Sequence, residues 1–195
     1  MEKKKIYAFD FDGTLTTRDT LLEFIRFARG GRALWCGMLR FSPLLVLMKA
    51  GLYPNWRVKE KVFSHFFKGV SIDEMDEFCR NFAREKRHLL RPEGLKMIEK
   101  ARHEGATVLI VSASVDNWVA PFFENVTVIG TRIEIENNRV SGRFLTKNCY
   151  GEEKVNRIHA LFPDRENYKL IAFGDSRGDK EMLEEADEAY FRPFR

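Results

Sequence analysis

Hydrophobic and polar positions follow two regimes along the chain. Continuous apolar runs at residues 6–9, 107–111 and 168–173 are short and rich in β-branched and aromatic side chains. Such runs predict strands buried on both faces of a parallel sheet. Weaker runs at 126–129 and 189–192 predict two more strands, and 133–136 and 139–144 flank Asn137-Asn138, the mark of a two-residue hairpin turn. Elsewhere the spacing is helical. A helix over about 20–29 has either a Thr20-x-x-Glu23 capping box or Asp19 as its cap, and Gly30-Gly31 ends it. Pro54-Asn55 opens a helix carrying Val58, Val62, Phe63, Phe66 and Phe67, and Gly69 stops it. Ser71-x-x-Glu74 opens a third, with Met75, Phe78, Cys79 and Phe82 on one face. Pro92 suits the first turn of a helix that Gly105 ends, and further helices are expected from Asp116, over 152–161 and over 180–185.

Strands alternating with helices on both sides of an all-helical block predict an α/β fold. The expected organisation is a Rossmann-like core of mostly parallel sheet, residues 1–16 and 89–195, with a helical cap, residues 17–88, inserted after the first strand.

One stretch fits neither regime. Residues 33–48, ALWCGMLRFSPLLVLM, hold a single charge, Arg40. They fall short of the ~20 residues a spanning helix needs. Pro43 should kink or split them, because it lacks an N–H and crowds the preceding turn. The stretch reads as a buried helix pair or, given the positive charge around it, as a surface that enters a membrane interface or lines an apolar substrate entrance.

Composition narrows the class. With 195 residues, 44% hydrophobic and 32% charged, the chain suits a globular protein with a real core, and its 17 phenylalanines make that core aromatic. The three cysteines share no disulfide or metal spacing, as in a reducing compartment, and the four histidines form no ligand pair. No signal-peptide core follows residues 1–5, so a cytoplasmic location is expected, peripheral at most at the inner membrane. The net charge of +4 is uneven. Between Phe24 and Lys59 there are seven cations and no acid, which points to an anionic partner; nothing points to nucleic acid.

The chemistry sits where apolar strands end. The first ends in Asp10-Phe11-Asp12-Gly13-Thr14, the second in Ser112-Ala113-Ser114, the third in Gly174-Asp175-Ser176-Arg177-Gly178-Asp179. In an open parallel sheet, ligands bind beyond the carboxyl ends of the strands, so these residues would face one another. Four aspartates in one place need a cation, and an all-oxygen set favours Mg²⁺. Acids, a hard cation, a hydroxyl and a lysine suit a phosphate ester.

The ordered set D-F-D-G-T, strand-end Ser112, downstream Lys154 and G-D-S-x-x-x-D resembles the four motifs of the haloacid dehalogenase superfamily. The helical insert resembles its phosphoserine phosphatase-like branch. The resemblance implies a phosphatase using Mg²⁺ and an aspartyl-phosphate. Asp10 would be the nucleophile, and Asp12 the acid, then the base. Ser112 and the Ala113 N–H would hold phosphoryl oxygens, and Lys154 would pair with phosphate and Asp10. Asp10, the Asp12 carbonyl, Asp175 and Asp179 would hold the metal. A phosphotransferase or mutase shares the intermediate, and a receiver-like phosphoacceptor is a more distant alternative.

The chain departs from the phosphoserine pattern in two places: Ala113-Ser114 stands where that branch carries Gly-Gly, and Gly178 where it carries Asn. Asp19 could meet a substrate ammonium. For a substrate-binding cation, Arg57 is the candidate carried forward, beside Lys59 and Lys61. The apolar stretch with N-C-Y-G-E-E-K-V at 148–155 is similar to a bacterial subgroup that includes phosphatidylglycerophosphatase C. That similarity implies a lipid phosphate as one substrate, a small-molecule phosphate such as phosphoserine being the other expected, and the basic, apolar cap fits contact with an anionic membrane surface.

Overall fold

The computed structural model describes residues 3–195. Strand β1 (Lys4–Phe9) lies at the centre of a five-stranded, wholly parallel sheet with β2 (Thr107–Val115), β3 (Thr127–Thr131), β6 (Tyr168–Gly174) and β7 (Glu188–Phe191), in the order β3-β2-β1-β6-β7. Phe9 stands opposite Ile110 on one side and Phe173 on the other. The ends of β1 and β6 are therefore level, and that register sets the site.

The strands read as unbroken apolar runs because both sheet faces are covered. Ile6, Ala8, Leu109, Val111, Leu170 and Ala172 face Ile158 of α7 (Glu152–Leu161) and Met182 of α8 (Lys180–Glu185). Tyr7, Phe9, Ile110, Ile171 and Phe173 face the opposite layer, which includes Ile98 and Ala101 of α5 (Pro92–His103). Phe9 and Phe173 stack at 4.5 Å between centroids.

Four helices stand between β1 and α5: α1 (Thr20–Arg29), α2 (Gly31–Lys49), α3 (Asn55–Phe67) and α4 (Ile72–Glu85). They share one apolar core with that second sheet face. Its junction is aromatic: Phe24 of α1 stacks on Trp118 at 5.0 Å, and Phe82 of α4 meets Phe122 edge-on at 5.6 Å. Trp118, on the short helix α6 (Asp116–Val119), is completely buried.

Several local expectations change. Residues 31–49 form one continuous helix despite Pro43. The Leu39 carbonyl, which a residue at 43 would bond through its missing N–H, instead accepts from Ser42 Oγ at 2.8 Å. Nor is that helix buried as a pair, since only Leu34 and Gly37 are buried. Asp19 rather than Thr20 caps α1, accepting from the Leu22 N–H at 3.2 Å. Strand β2 continues through Ser112-Ala113-Ser114 to Val115, so these polar residues are strand rather than loop.

The hairpin forms as β4 (Ile133–Glu136) and β5 (Arg139–Phe144), with Asn137 and Asn138 both at positive φ. It leaves the main sheet and packs on the helical insert. Gly69 and Val70 exchange backbone bonds with Val140 at 2.8 Å, and the Phe144 N–H donates to Glu60 at 2.8 Å. Among the described residues, no helix is long and apolar enough to cross a membrane.

Candidate active site

Asp10 leaves β1 with its N–H donating to the Phe173 carbonyl at 2.9 Å, which carries the strand pairing one residue further. Its side chain is buried beside Lys154, which α7 points inward. The Lys154 ammonium donates to Asp10 Oδ1 at 2.7 Å, Asp179 Oδ1 at 2.6 Å and the Val111 carbonyl at 2.7 Å. An ammonium has three donors. All three are spent, on Asp10 just past β1, on Val111 within β2 and on Asp179 in the turn after β6. One buried lysine thus ties β1, β2 and the segment after β6 together.

Asp10, Asp175 and Asp179 each bring a carboxylate oxygen within 4.8 Å of the others. Asp179 Oδ2 accepts from the Asp175 N–H, the Ser176 N–H and the Ser176 hydroxyl at 3.0–3.1 Å, which holds the loop and aims Oδ1 at Lys154. Asp175 accepts from Thr14 Oγ1 at 3.4 Å and pairs with the Arg195 guanidinium. Gly13 sits at φ +86°, and a Cβ there would lie 2.7 Å from Asp175 Oδ2. Only glycine lets the first loop turn and approach the third so closely.

The charges are perturbed accordingly. Burial pushes the Asp10 carboxyl up to about 7, with Asp179 and Asp12 adding to it, although Lys154 stabilises the anion. Burial alone would lower the Lys154 pKa, but Asp10 and Asp179 reverse this and raise it. Burial likewise opposes ionisation of Asp179, yet Lys154 and the loop N–H groups hold its pKa below the usual carboxylate value. Asp10 Oδ2 is buried with no hydrogen-bond partner. A carboxylate oxygen left so is costly unless a ligand meets it. Three hard carboxylates around an unpartnered oxygen fit a divalent cation bound by oxygen.

The Asp12 side chain is separate from this cluster. Its Oδ1 accepts from the Thr20 N–H at 2.7 Å and its Oδ2 from Ser114 Oγ at 2.5 Å. Thr20 Oγ1 lies 3.4 Å from Ser114 Oγ and accepts from Trp118 Nε1 at 3.2 Å. Ser114 and Thr20 are fully buried. The sequence offered Thr20 only as a helix cap, and Ser114 as part of a polar strand end and a departure from a pattern, with no role toward Asp12. Their role in fixing Asp12 depends on β2 passing beside the start of α1.

These groups floor a cavity of about 360 Å³ that Asp10, Asp12, Ser112, Ala113, Lys154 and Asp179 all line. The Ser114 N–H donates to Ser112 Oγ at 3.0 Å. The opposite wall comes from α1, α2 and α3: Leu22, Met38, Leu45, Met48, Val58 and Val62, with Asp19 and Lys59 among them. Arg57, the cation expected there, is exposed, stacks on Trp56 at 5.2 Å and does not line the cavity. Helical phase explains the correction, because α3 turns Val58, Lys59 and Val62 inward and leaves Arg57 outside. Lys59 Nζ donates to the Ala113 carbonyl at 2.8 Å, and burial lowers its pKa against the pull of Asp12, Asp19 and Asp10. At Gly178, a Cβ would stand 2.5 Å from the Tyr150 ring, which also lines the cavity. Tyr150 occupies the space that an asparagine at 178 would need.

Comparison with known proteins bears on the family and the fold. Protein CicA of Caulobacter vibrioides is 37% identical over 97% of this chain and 86% of its own. A crystal structure of a Bordetella pertussis Tohama I protein of unknown function shares the fold at TM-score 0.82 and 22% identity, covering 95% of this chain and 88% of that one. A substrate-bound phosphoserine phosphatase shares it at TM-score 0.64 and 21% identity, covering 95% and 84%. The family model for haloacid dehalogenase-like hydrolases matches residues 7–184. With the motif order, the parallel sheet and the clustered acids in agreement, this chain belongs to the haloacid dehalogenase-like hydrolases.

Proposed function

We propose that the protein is a Mg²⁺-dependent phosphomonoester hydrolase acting through an aspartyl-phosphate on Asp10. The observation that carries this reading is the buried Asp10 carboxylate, held on one oxygen by Lys154 and unpartnered on the other, at the floor of the cavity. The likeness in fold to phosphoserine phosphatases supports the reaction class.

Asp10, Asp175 and Asp179, with the Asp12 main-chain carbonyl, would hold the metal. When bound, Mg²⁺ would neutralise phosphoryl oxygens that these carboxylates otherwise repel. Ser112 Oγ and the Ala113 N–H hold the phosphoryl group in place. Asp10 attacks phosphorus as the ester P–O bond breaks, and the leaving oxygen takes a proton from Asp12. Asp12, now ionised, takes a proton from water. The water oxygen displaces Asp10 and releases inorganic phosphate. Lys154 keeps Asp10 anionic at the start and stabilises it again as the leaving carboxylate.

The apolar wall favours a phosphate ester whose alcohol is substantially non-polar, a lipid phosphate or an apolar small molecule. Tyr150 beside Gly178 and the absence of Arg57 from the cavity argue against phosphoserine itself. A phosphate-release screen with Mg²⁺ across amino-acid, sugar, nucleotide and lipid phosphates tests the reading. Release from at least one class, abolished in Asp10→Asn, is expected. Transfer of phosphate to an acceptor alcohol, with none set free, would instead make the protein a phosphotransferase.

A further inference from the structure

Helix α2 has two apolar faces, and only one is used. Leu34 and Gly37 are buried against the insert, and a Cβ on Gly37 would lie 2.3 Å from the Phe66 ring. Met38, Leu45 and Met48 line the cavity. On the far side Trp35, Leu39 and Val46 are 72%, 62% and 65% exposed. At about 100° per residue these three fall within roughly 40° of arc. Leu52, 74% exposed, follows in the turn after the helix. A helix apolar all round is normally buried, so this outward stripe wants a covering.

The charges say what covers it. Arg32 and Lys49 are exposed and flank the stripe within about 60° of its centre, Arg40 of α2 and Arg57 of α3 are exposed further round, and among the described residues none of the four pairs with a carboxylate. The segment from Phe24 to Lys59 holds no acid at all. A second copy packed face to face on this helix would set cations against cations. An anionic bilayer meets both needs: headgroups for the cations, and the acyl boundary for the tryptophan and aliphatic side chains. Ser42 Oγ already satisfies the carbonyl that Pro43 orphans, so the outward backbone does not carry an unpaired acceptor into that boundary.

We propose that the outward face of α2 docks on an anionic lipid bilayer. Docking would put the cavity, which the same helix lines from its other edge, within about one helix diameter, ~10–12 Å, of the headgroups. The protein would then meet its phosphate ester at the membrane surface.

The test is co-sedimentation of the full chain with vesicles of phosphatidylglycerol and phosphatidylcholine against vesicles of phosphatidylcholine alone, with tryptophan emission recorded. Binding to the anionic vesicles, a blue shift and weakening by added salt are expected. Trp35→Glu with Leu39→Glu should weaken binding about tenfold or more. Arg32→Gln alone should weaken it about fivefold, the contribution of one basic residue at an anionic surface. Both variants should keep wild-type thermal unfolding and hydrolysis of a water-soluble ester. No binding to anionic vesicles overturns the proposal. So does equal binding of wild type and double variant, or a dimer that Leu39→Glu dissociates without any vesicle binding. Vesicle binding is read without catalysis, so a negative result leaves the hydrolase reading intact.

Discussion

Removing the Ser114 hydroxyl isolates how Asp12 is held. In Ser114→Ala the donor 2.5 Å from Asp12 Oδ2 is lost, while the Thr20 N–H still holds Oδ1. The main-chain bond from residue 114 to Ser112 Oγ survives, because it uses backbone. Thr20 Oγ1 keeps its bond from Trp118. The fold therefore loses one hydroxyl and gains no clash, at a cost of about 1 kcal/mol. Catalysis should lose more. A hydrogen bond to a charged group contributes about 1.5–3 kcal/mol, which is roughly 10- to 150-fold in kcat if Asp12 must be aligned in the transition state. Steady-state phosphate release should show kcat falling by that factor, with KM within about twofold, since Ser114 touches Asp12 rather than substrate. Thr20→Val, which removes the hydroxyl one step further away at 3.4 Å, should cost less. If Ser114→Ala unfolds normally and keeps kcat within about twofold of wild type, Ser114 does not position Asp12.

The remaining predictions follow from the same contacts. Gly13→Ala places a methyl 2.7 Å from Asp175 Oδ2 at φ +86° and should destabilise the fold by about 1–3 kcal/mol, with weaker Mg²⁺ binding by titration calorimetry. Lys154→Met leaves Asp10 and Asp179 buried without their cation and should cost about 3–5 kcal/mol in chemical denaturation. Added Mg²⁺ should raise the wild-type Tm, and Asp175→Asn should largely remove that rise; an equal rise in the variant would take Asp175 out of the metal site. Burial and the Glu104 carboxylate push the Tyr7 phenol up from 10.0 to about 12. A raised folded pKa means its contribution is full below pH 10 and is lost as pH rises through 12. The wild type should therefore lose more stability than Tyr7→Phe between those values, and parallel losses in the two proteins would refute this.

Sequence and structure agree best where a feature is local or repeats. The helices at 152–161 and 180–185 and the asparagine turn of the hairpin were legible, because period and turn chemistry act within a few residues. So was the gathering of acids, since a parallel sheet brings its strand ends to one edge. Pro43 shows the limit: its breaking tendency is real, but a neighbouring hydroxyl met the orphaned carbonyl and the helix continued. The place of the hairpin was not legible, because turn residues specify that two strands pair and say nothing of what they pack against.

Strand period, turn glycines and motif order thus make the family and the three polar strand ends, two of them acidic, readable along the chain. Which cation lines the cavity, what holds Asp12 and what fills the space beside Gly178 come from residues far apart in sequence. Helical phase turned Lys59 inward and Arg57 outward. The crossing of β2 with α1 joined Ser114 to Asp12 across 102 positions. Such contacts are set by the packing of whole elements, and no local pattern in the chain encodes the angle at which they meet.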